Sequence, residues 1–307
     1  MSAERNGILV ICLAAVALVS GCDSSVRSAP ELVWGIHGTK PGWLQKPRVA
    51  AFDERDQLYI ADLTDRIQVF DRDGHYLRGW RTPDLNVDGP SGLTVDRLGR
   101  LLVADTHFYR VLVYSNTGEL LFQIGDGVQG STPGRFAYPT DGVIDRAGNF
   151  YVSEYGENDR IQVFSPEGTW LRQWGGHGFE PGEFLRPRAL AIDDRDRIYV
   201  ADSCNHRIQV FDTRGKLLNA WGTRGTAPGQ MSYPYDLAIG PDGALYVCEY
   251  GNQRVQKFTL DGKPLGLWGA SGRGPGQLFT PWALAVDGQG AVSVIDTNNH
   301  RVQRFRL

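Results

Sequence analysis

Six prolines spaced 43 to 49 residues apart in this 307-residue chain are each followed fifteen residues later by an acid: Pro47 to Asp62, Pro90 to Asp105, Pro139 to Glu154, Pro187 to Asp202, Pro234 to Glu249 and Pro281 to Asp296. An arginine follows each acid within a few residues, and an aromatic ring stands four beyond it. These pairs are Arg66/Phe70, Arg110/Tyr114, Arg160/Phe164, Arg207/Phe211, Arg254/Phe258 and Arg301/Phe305. A repeat of this length points to an array of like units, because one unit cannot bury its apolar face alone and must stack on its neighbours.

Each unit reads as four short strands. In the fourth, Ala189 to Asp193 is an apolar strand and residues 194–197 form a polar turn; Ile198 to Ala201, Arg207 to Phe211 and Leu217 to Trp221 follow as strands. Strands of about five residues, evenly broken by polar or glycine turns, argue for an all-β array. Glycine, 38 of 307 residues, suits a chain that turns this often. Successive prolines lie 43 to 49 residues apart, which fits one four-stranded propeller blade of roughly 40–50 residues.

The sixth unit ends at Leu307, just after its third strand, while Leu32-Val33-Trp34-Gly35 near the other end matches the Trp-Gly unit ends at Trp174, Trp221 and Trp268 and the unit end at Trp80. Trp34 precedes Pro47 by 13 residues, the interval that also separates Trp174 from Pro187, Trp221 from Pro234 and Trp268 from Pro281. The expected fold is therefore a six-bladed propeller whose ring is shut by residues 31–35 as the last strand of the last blade. Closure removes the open sheet edges that would otherwise recruit other chains.

Residues 1–21 read as a targeting segment. Gly7 to Gly21 is an apolar run that ends in Val19-Ser20-Gly21-Cys22, too short to span a bilayer and suited to a signal h-region. It resembles the bacterial lipoprotein signal, which implies acylation of Cys22, a polar tether over residues 22–30, a propeller over residues 31–307, and a location outside the cytoplasm on a bacterial membrane. An ordinary secretory peptide is the alternative. Cys12 leaves with the signal, so Cys204 and Cys248 remain in a disulfide-permissive compartment; they lie near the same face of neighbouring blades. A disulfide needs their Cα atoms within about 7 Å, and a buried thiol at Cys248 is the other outcome. The net charge is −3 with the signs interspersed, so no basic stripe calls for nucleic acid. The expected state is a monomer.

The runs Asn205-His206-Arg207-Ile208-Gln209 and Asn299-His300-Arg301-Val302-Gln303, with relatives at Asp159-Arg160-Ile161-Gln162 and Gln253-Arg254-Val255-Gln256, resemble the NHL-repeat family of six-bladed β-propellers. The resemblance recurs through residues 31–307. It implies the fold and leaves the chemistry open, since propellers host many functions.

Six recurring acids and arginines are read as one ion-paired clasp per blade: Asp62/Arg66, Asp105/Arg110, Glu154/Arg160, Asp202/Arg207, Glu249/Arg254 and Asp296/Arg301. A catalytic group has no reason to occur six times. His206 and His300 share a repeat position, as do His37 and His177, and no His-x-x-x-His or Cys-x-x-Cys spacing marks a metal site. Function is expected where copies differ. Inner strands start just after each proline, so Arg48, Ser91, Thr140, Arg188, Tyr235 and Trp282 should ring the channel mouth. Asp141 and Asp236 stand next in their blades, and Tyr155 and Tyr250 follow the two glutamates. Varied polar and aromatic residues on a rigid frame suit binding.

Two functions follow. One is a lipid-anchored extracytoplasmic binding or scaffold module for a protein, peptide or small ligand, with no catalytic residue and no cofactor. The other is a metal-dependent enzyme, because some propeller relatives are amidating lyases or lactone hydrolases. That reading implies calcium or zinc, with Glu154, Glu249, Asp141 and Asp236 as oxygen ligands and Arg48 and Arg188 stabilising an oxyanion.

Overall fold

The computed structural model describes residues 29–84, 88–156 and 158–307; the signal segment, Cys22 and most of the tether lie outside the described residues. Six four-stranded antiparallel sheets make a ring. Blade 1 is Pro47–Phe52, Leu58–Asp62, Arg66–Phe70 and Tyr76–Arg81, and the other blades repeat it in order. Blade 4 is Pro187–Ile192, Ile198–Asp202, Arg207–Phe211 and Leu217–Trp221, so its inner strand begins two residues ahead of the sequence reading. Blade 6 takes Pro281–Val286, Val292–Asp296 and Arg301–Phe305 from its own segment and Leu32–Trp34 from the other end of the chain. The closing register sets Leu32 opposite Arg304, Val33 opposite Gln303 and Trp34 opposite Val302.

The short strands alternate side chains between two faces, and in a blade both faces are covered by neighbours. The core is accordingly divided into six apolar clusters, one at each junction between successive blades. The junction of blades 6 and 1 contains Ala283, Ile295 and Val302 from one side and Ile60 and Phe70 from the other, with Trp34 packed on it. Trp80, Trp174 and Trp221 play the matching part at other junctions. The ring of Trp34 lies so close to the turn of blade 1 that a Cβ on Gly74 would stand 2.5 Å from it, and Gly74 also takes a φ of 86°. Only glycine meets both demands.

The short turns at the far end of the inner strands are built on aspartate. In blade 1, Asp53 Oδ1 accepts from the amides of Arg55 and Gln57, each at 2.9 Å, the side chain replacing a backbone acceptor within the turn. Asp96, Asp193 and Asp287 repeat this arrangement. Blade 5 departs from it, opening its turn with Gly240 and using Asp242 to accept from the Ala244 amide, but the turns of this face stay short, and the longer and more varied connections lie on the other.

Candidate functional site

Four inner strands deliver the residue after proline to one constriction: Arg48 from blade 1, Arg188 from blade 4, Tyr235 from blade 5 and Trp282 from blade 6. Trp282 meets two guanidiniums, with Arg48 centred 4.3 Å and Arg188 5.0 Å from its ring. Arg188 also lies 5.1 Å from the ring of Tyr235. Tyr235 stacks on Tyr250 at 4.5 Å and presents its edge to Trp282 at 5.8 Å. Cations over aromatic faces are attracted by the ring quadrupole, more strongly once water is excluded. The side chains interlock and narrow the channel at its mouth.

The two hydroxyl residues of the expected mouth ring sit differently. Thr140 is buried between blades, where its hydroxyl donates to the carbonyl of Pro187 at 2.8 Å and pairs with the Ser153 hydroxyl at 2.8 Å. Ser91 pairs with Thr106, whose hydroxyl donates to the Pro139 carbonyl at 2.8 Å. Ser91 still borders the mouth, whereas Thr140 stitches blade 3 to blade 4. Tyr155 stacks on Tyr138 at 5.1 Å and faces the mouth cavity.

Asp141 and Asp236 lie one step deeper, at the waist of the channel. Each reaches to the next blade: Asp141 Oδ2 accepts from the Leu190 amide at 2.9 Å, and Asp236 Oδ2 from the Leu284 amide at 2.8 Å. Both acceptors meet inner strands whose ladders slip near these amides, and bulged backbone leaves amides without a ladder partner. Burial pushes the Asp141 carboxyl up to about 6. Burial, and then the charge of Asp141, push Asp236 well above the ordinary carboxylate range. A group with a raised folded pKa contributes its full stability below the unfolded value of about 3.9 and loses it as pH rises through the folded value. Asp236→Asn keeps an acceptor for Leu284 without the charge. Melts of the two proteins at pH 7.5 and pH 5 should therefore show the wild type gaining on the variant as pH falls; parallel melts at both pH values would show that Asp236 is not proton-linked to folding.

Above the constriction is a cavity of about 210 Å³. Beside Arg48, Arg188, Tyr155 and Trp282 it is lined by Arg186 and His107, which the sequence reading did not pick out. Arg186 stands before its proline, and its guanidinium lies 4.6 Å from the ring of Tyr155. The signal was on the other side of the same proline. Lys46, Arg186, Tyr233 and Thr280 all take a left-handed φ, between 47° and 61°, although a residue before proline ordinarily prefers extended backbone. A second cavity of about 250 Å³ opens on the opposite face, between the aliphatic ends of the inner strands, with Asp141 and Asp236 at its inner end.

All six clasp pairs are in contact. Arg66 reaches Asp62, and the distances are 2.9 Å for Arg110 to Asp105, 2.5 Å for Arg160 to Glu154, 2.7 Å for Arg207 to Asp202, 2.6 Å for Arg254 to Glu249 and 2.7 Å for Arg301 to Asp296. Glu154 and Glu249 are thereby held in their own blades, apart from the waist carboxylates. Among the described residues no group of three or more His, Cys, Asp or Glu could hold a metal ion, so the oxygen-ligand set of the enzyme reading is not assembled. Cys204 and Cys248 are both free thiols: Cys248 is buried in the junction of blades 5 and 6, and Cys204 sits in the turn that follows the second strand of blade 4.

The repeats and the ring define a class. A family model described as NHL repeat matches residues 184–211, 231–258 and 280–305, so NHL repeats are found within the six-bladed β-propeller. It is 38% identical over 124 residues to peptidyl-glycine alpha-amidating monooxygenase B of Xenopus laevis, covering 38% of this chain and 14% of that protein. It is 30% identical over 187 residues to human NHL repeat-containing protein 3, covering 53% of each. The chain thus spans about half or less of the length of these relatives. Among solved structures, a streptogramin B lyase superposes with a TM-score of 0.63 at 15% identity, covering 89% of this chain and 96% of the lyase; this likeness concerns the fold.

Proposed function

We propose that this chain is a membrane-tethered, extracytoplasmic binding module that recognises a protein, peptide or small ligand on its channel-mouth face. The observation that carries the reading is the convergence of Arg48, Arg188, Tyr235 and Trp282 from four blades on one constriction. Most of the short inner turns of the opposite face repeat an aspartate design, so side-chain diversity is concentrated where a rigid frame can present it. The apolar run before Cys22 supports export and lipid anchoring.

The test is capture from the native envelope by the mature protein, compared with an Arg188→Ala/Tyr235→Ala variant of matched melting behaviour. At least one component should be retained by the wild type and depleted roughly ten-fold by the variant, as loss of a buried hot spot would give. Equal retention of every component by both proteins would remove the mouth as the recognition surface.

The enzyme reading draws on the amidating relatives named above. It is disfavoured because Glu154 and Glu249 each bind an arginine while Asp141 and Asp236 cap backbone amides. Calcium or zinc retained at one equivalent by the purified protein after dialysis would reverse that preference.

A further inference from the structure

Three guanidiniums line the mouth cavity, and they are not equally partnered. Arg48 contacts Asp88, with one nitrogen 3.4 Å from its carboxylate and another donating to its carbonyl. Asp88 is also approached by His107 at 3.4 Å and is the one carboxylate on the cavity wall. Arg186 and Arg188 form no ion pair or guanidinium hydrogen bond with any described residue; their contacts are the faces of Tyr155, Tyr235 and Trp282. Arg186 is exposed, but Arg188 is only 6% exposed.

A buried guanidinium normally finds a carboxylate, because desolvating an unpaired charge is expensive. Here the aromatic faces of Tyr235 and Trp282 flank Arg188, and its donors have no acceptor among the described residues. Its nearest charged company includes Arg48 and Arg186, whose repulsion adds to the effect of burial in lowering its pKa, yet an arginine in a protein keeps its proton. Three positive charges against one exposed carboxylate, with one guanidinium desolvated in advance, is an arrangement that an anion completes. Planar forked donors match the oxygens of a carboxylate or phosphate. At about 210 Å³, the cavity is smaller than the roughly 300–1,000 Å³ that whole small-molecule ligands usually occupy. It is of a size for a terminal group, with the rest of the ligand lying out across the loops.

We propose that the mouth cavity is an oxyanion site, in which Arg188, Arg186 and Arg48 hold a terminal carboxylate or phosphate group of the ligand. This rests on the reading of the mouth as the recognition surface and names the chemistry recognised there.

The site is tested by calorimetric titration of the mature protein at low ionic strength with inorganic phosphate, with succinate and, as a control, with chloride. Phosphate or succinate should bind saturably with one equivalent and chloride should not; the stronger of the two identifies the kind of group the site takes. Arg188→Gln should weaken that binding roughly ten-fold or more, the scale of one lost charge-assisted contact. Arg186→Gln changes an exposed side chain and should weaken it several-fold, which keeps the test decisive if the Arg188 variant does not fold. Absence of saturable binding by either anion, or binding that both variants leave unchanged, would overturn the oxyanion site. In that event an envelope component lost by the Arg188→Ala/Tyr235→Ala protein would still uphold mouth recognition of a different chemistry.

Discussion

Deleting residues 31–35 should destabilise the propeller by about 3–5 kcal/mol, the scale of removing one large aromatic from a packed junction. The segment is short, but three separate supports end with it. The ladder of Leu32, Val33 and Trp34 on Arg304, Gln303 and Val302 is lost. Trp34, whose ring lies 4.8 Å from that of Phe70, leaves the junction of blades 6 and 1. Glu31, which contacts Arg304 at 3.7 Å and Arg306 at 3.0 Å, is removed as well. Arg301–Phe305 then becomes an edge strand with unpaired backbone groups, a template for association. The expected result in denaturant titration is a midpoint well below that of the full chain, with concentration-dependent light scattering as the variant unfolds. A midpoint equal to that of the full chain would mean that the ring holds without its clasp strand.

The frame was legible in the sequence because it is imposed six times. A proline that starts an inner strand, an acid that ends the second strand and an arginine that starts the third are tied together by hairpin geometry, so their spacing hardly drifts from Pro47/Asp62 to Pro281/Asp296. Closure was legible for the same reason, since Trp34 keeps the interval to its proline that Trp174 and Trp221 keep to theirs. The depth of the mouth residues was not. The inner strands slip just after the proline, between Pro139 and Asp141, Pro187 and Leu190, and Pro234 and Asp236. One extra residue reverses which way the following side chains point. The same slip follows Pro47, Pro187, Pro234 and Pro281, whose next residues do reach the mouth; Thr140 instead has a short side chain held in the wall by the Pro187 carbonyl and the Ser153 hydroxyl, and Asp141 and Asp236 lie at the waist. Arg186 escaped notice because its route to the mouth depends on a left-handed φ of 61° before proline, which no residue preference announces.

Arg160→Leu should cost about 3–5 kcal/mol, the penalty for leaving a partner charge buried and alone, and the reason lies in what each clasp holds. Glu154 is fully buried and Arg160 nearly so. The arginine donates not only to Glu154 but also to the Ser131 carbonyl at 2.8 Å, the Arg135 carbonyl at 3.1 Å and the Gln173 side chain at 2.9 Å. The second oxygen of Glu154 accepts from the Ala137 amide at 2.6 Å, and Gln162 bridges Glu154 to the Arg135 carbonyl at 2.8 Å on each side. Both ends of the loop that enters blade 3 are thus fastened to the same ion pair. Blade 4 repeats the device, with Arg207 donating to the carbonyls of Phe179, Glu180 and Glu183 and Asp202 accepting from the Leu185 amide; that loop delivers Arg186 to the mouth. An exposed pair such as Arg97 with Asp194 is worth only ~0–1 kcal/mol by contrast. If the cost of Arg160→Leu arises from stranded charge, Glu154→Gln made in the same protein should recover part of it, so that the double variant is less damaged than the sum of the two single ones. Strict additivity in denaturant titration would instead mean that the arginine contributes through its carbonyl contacts to the loop, independently of the acid.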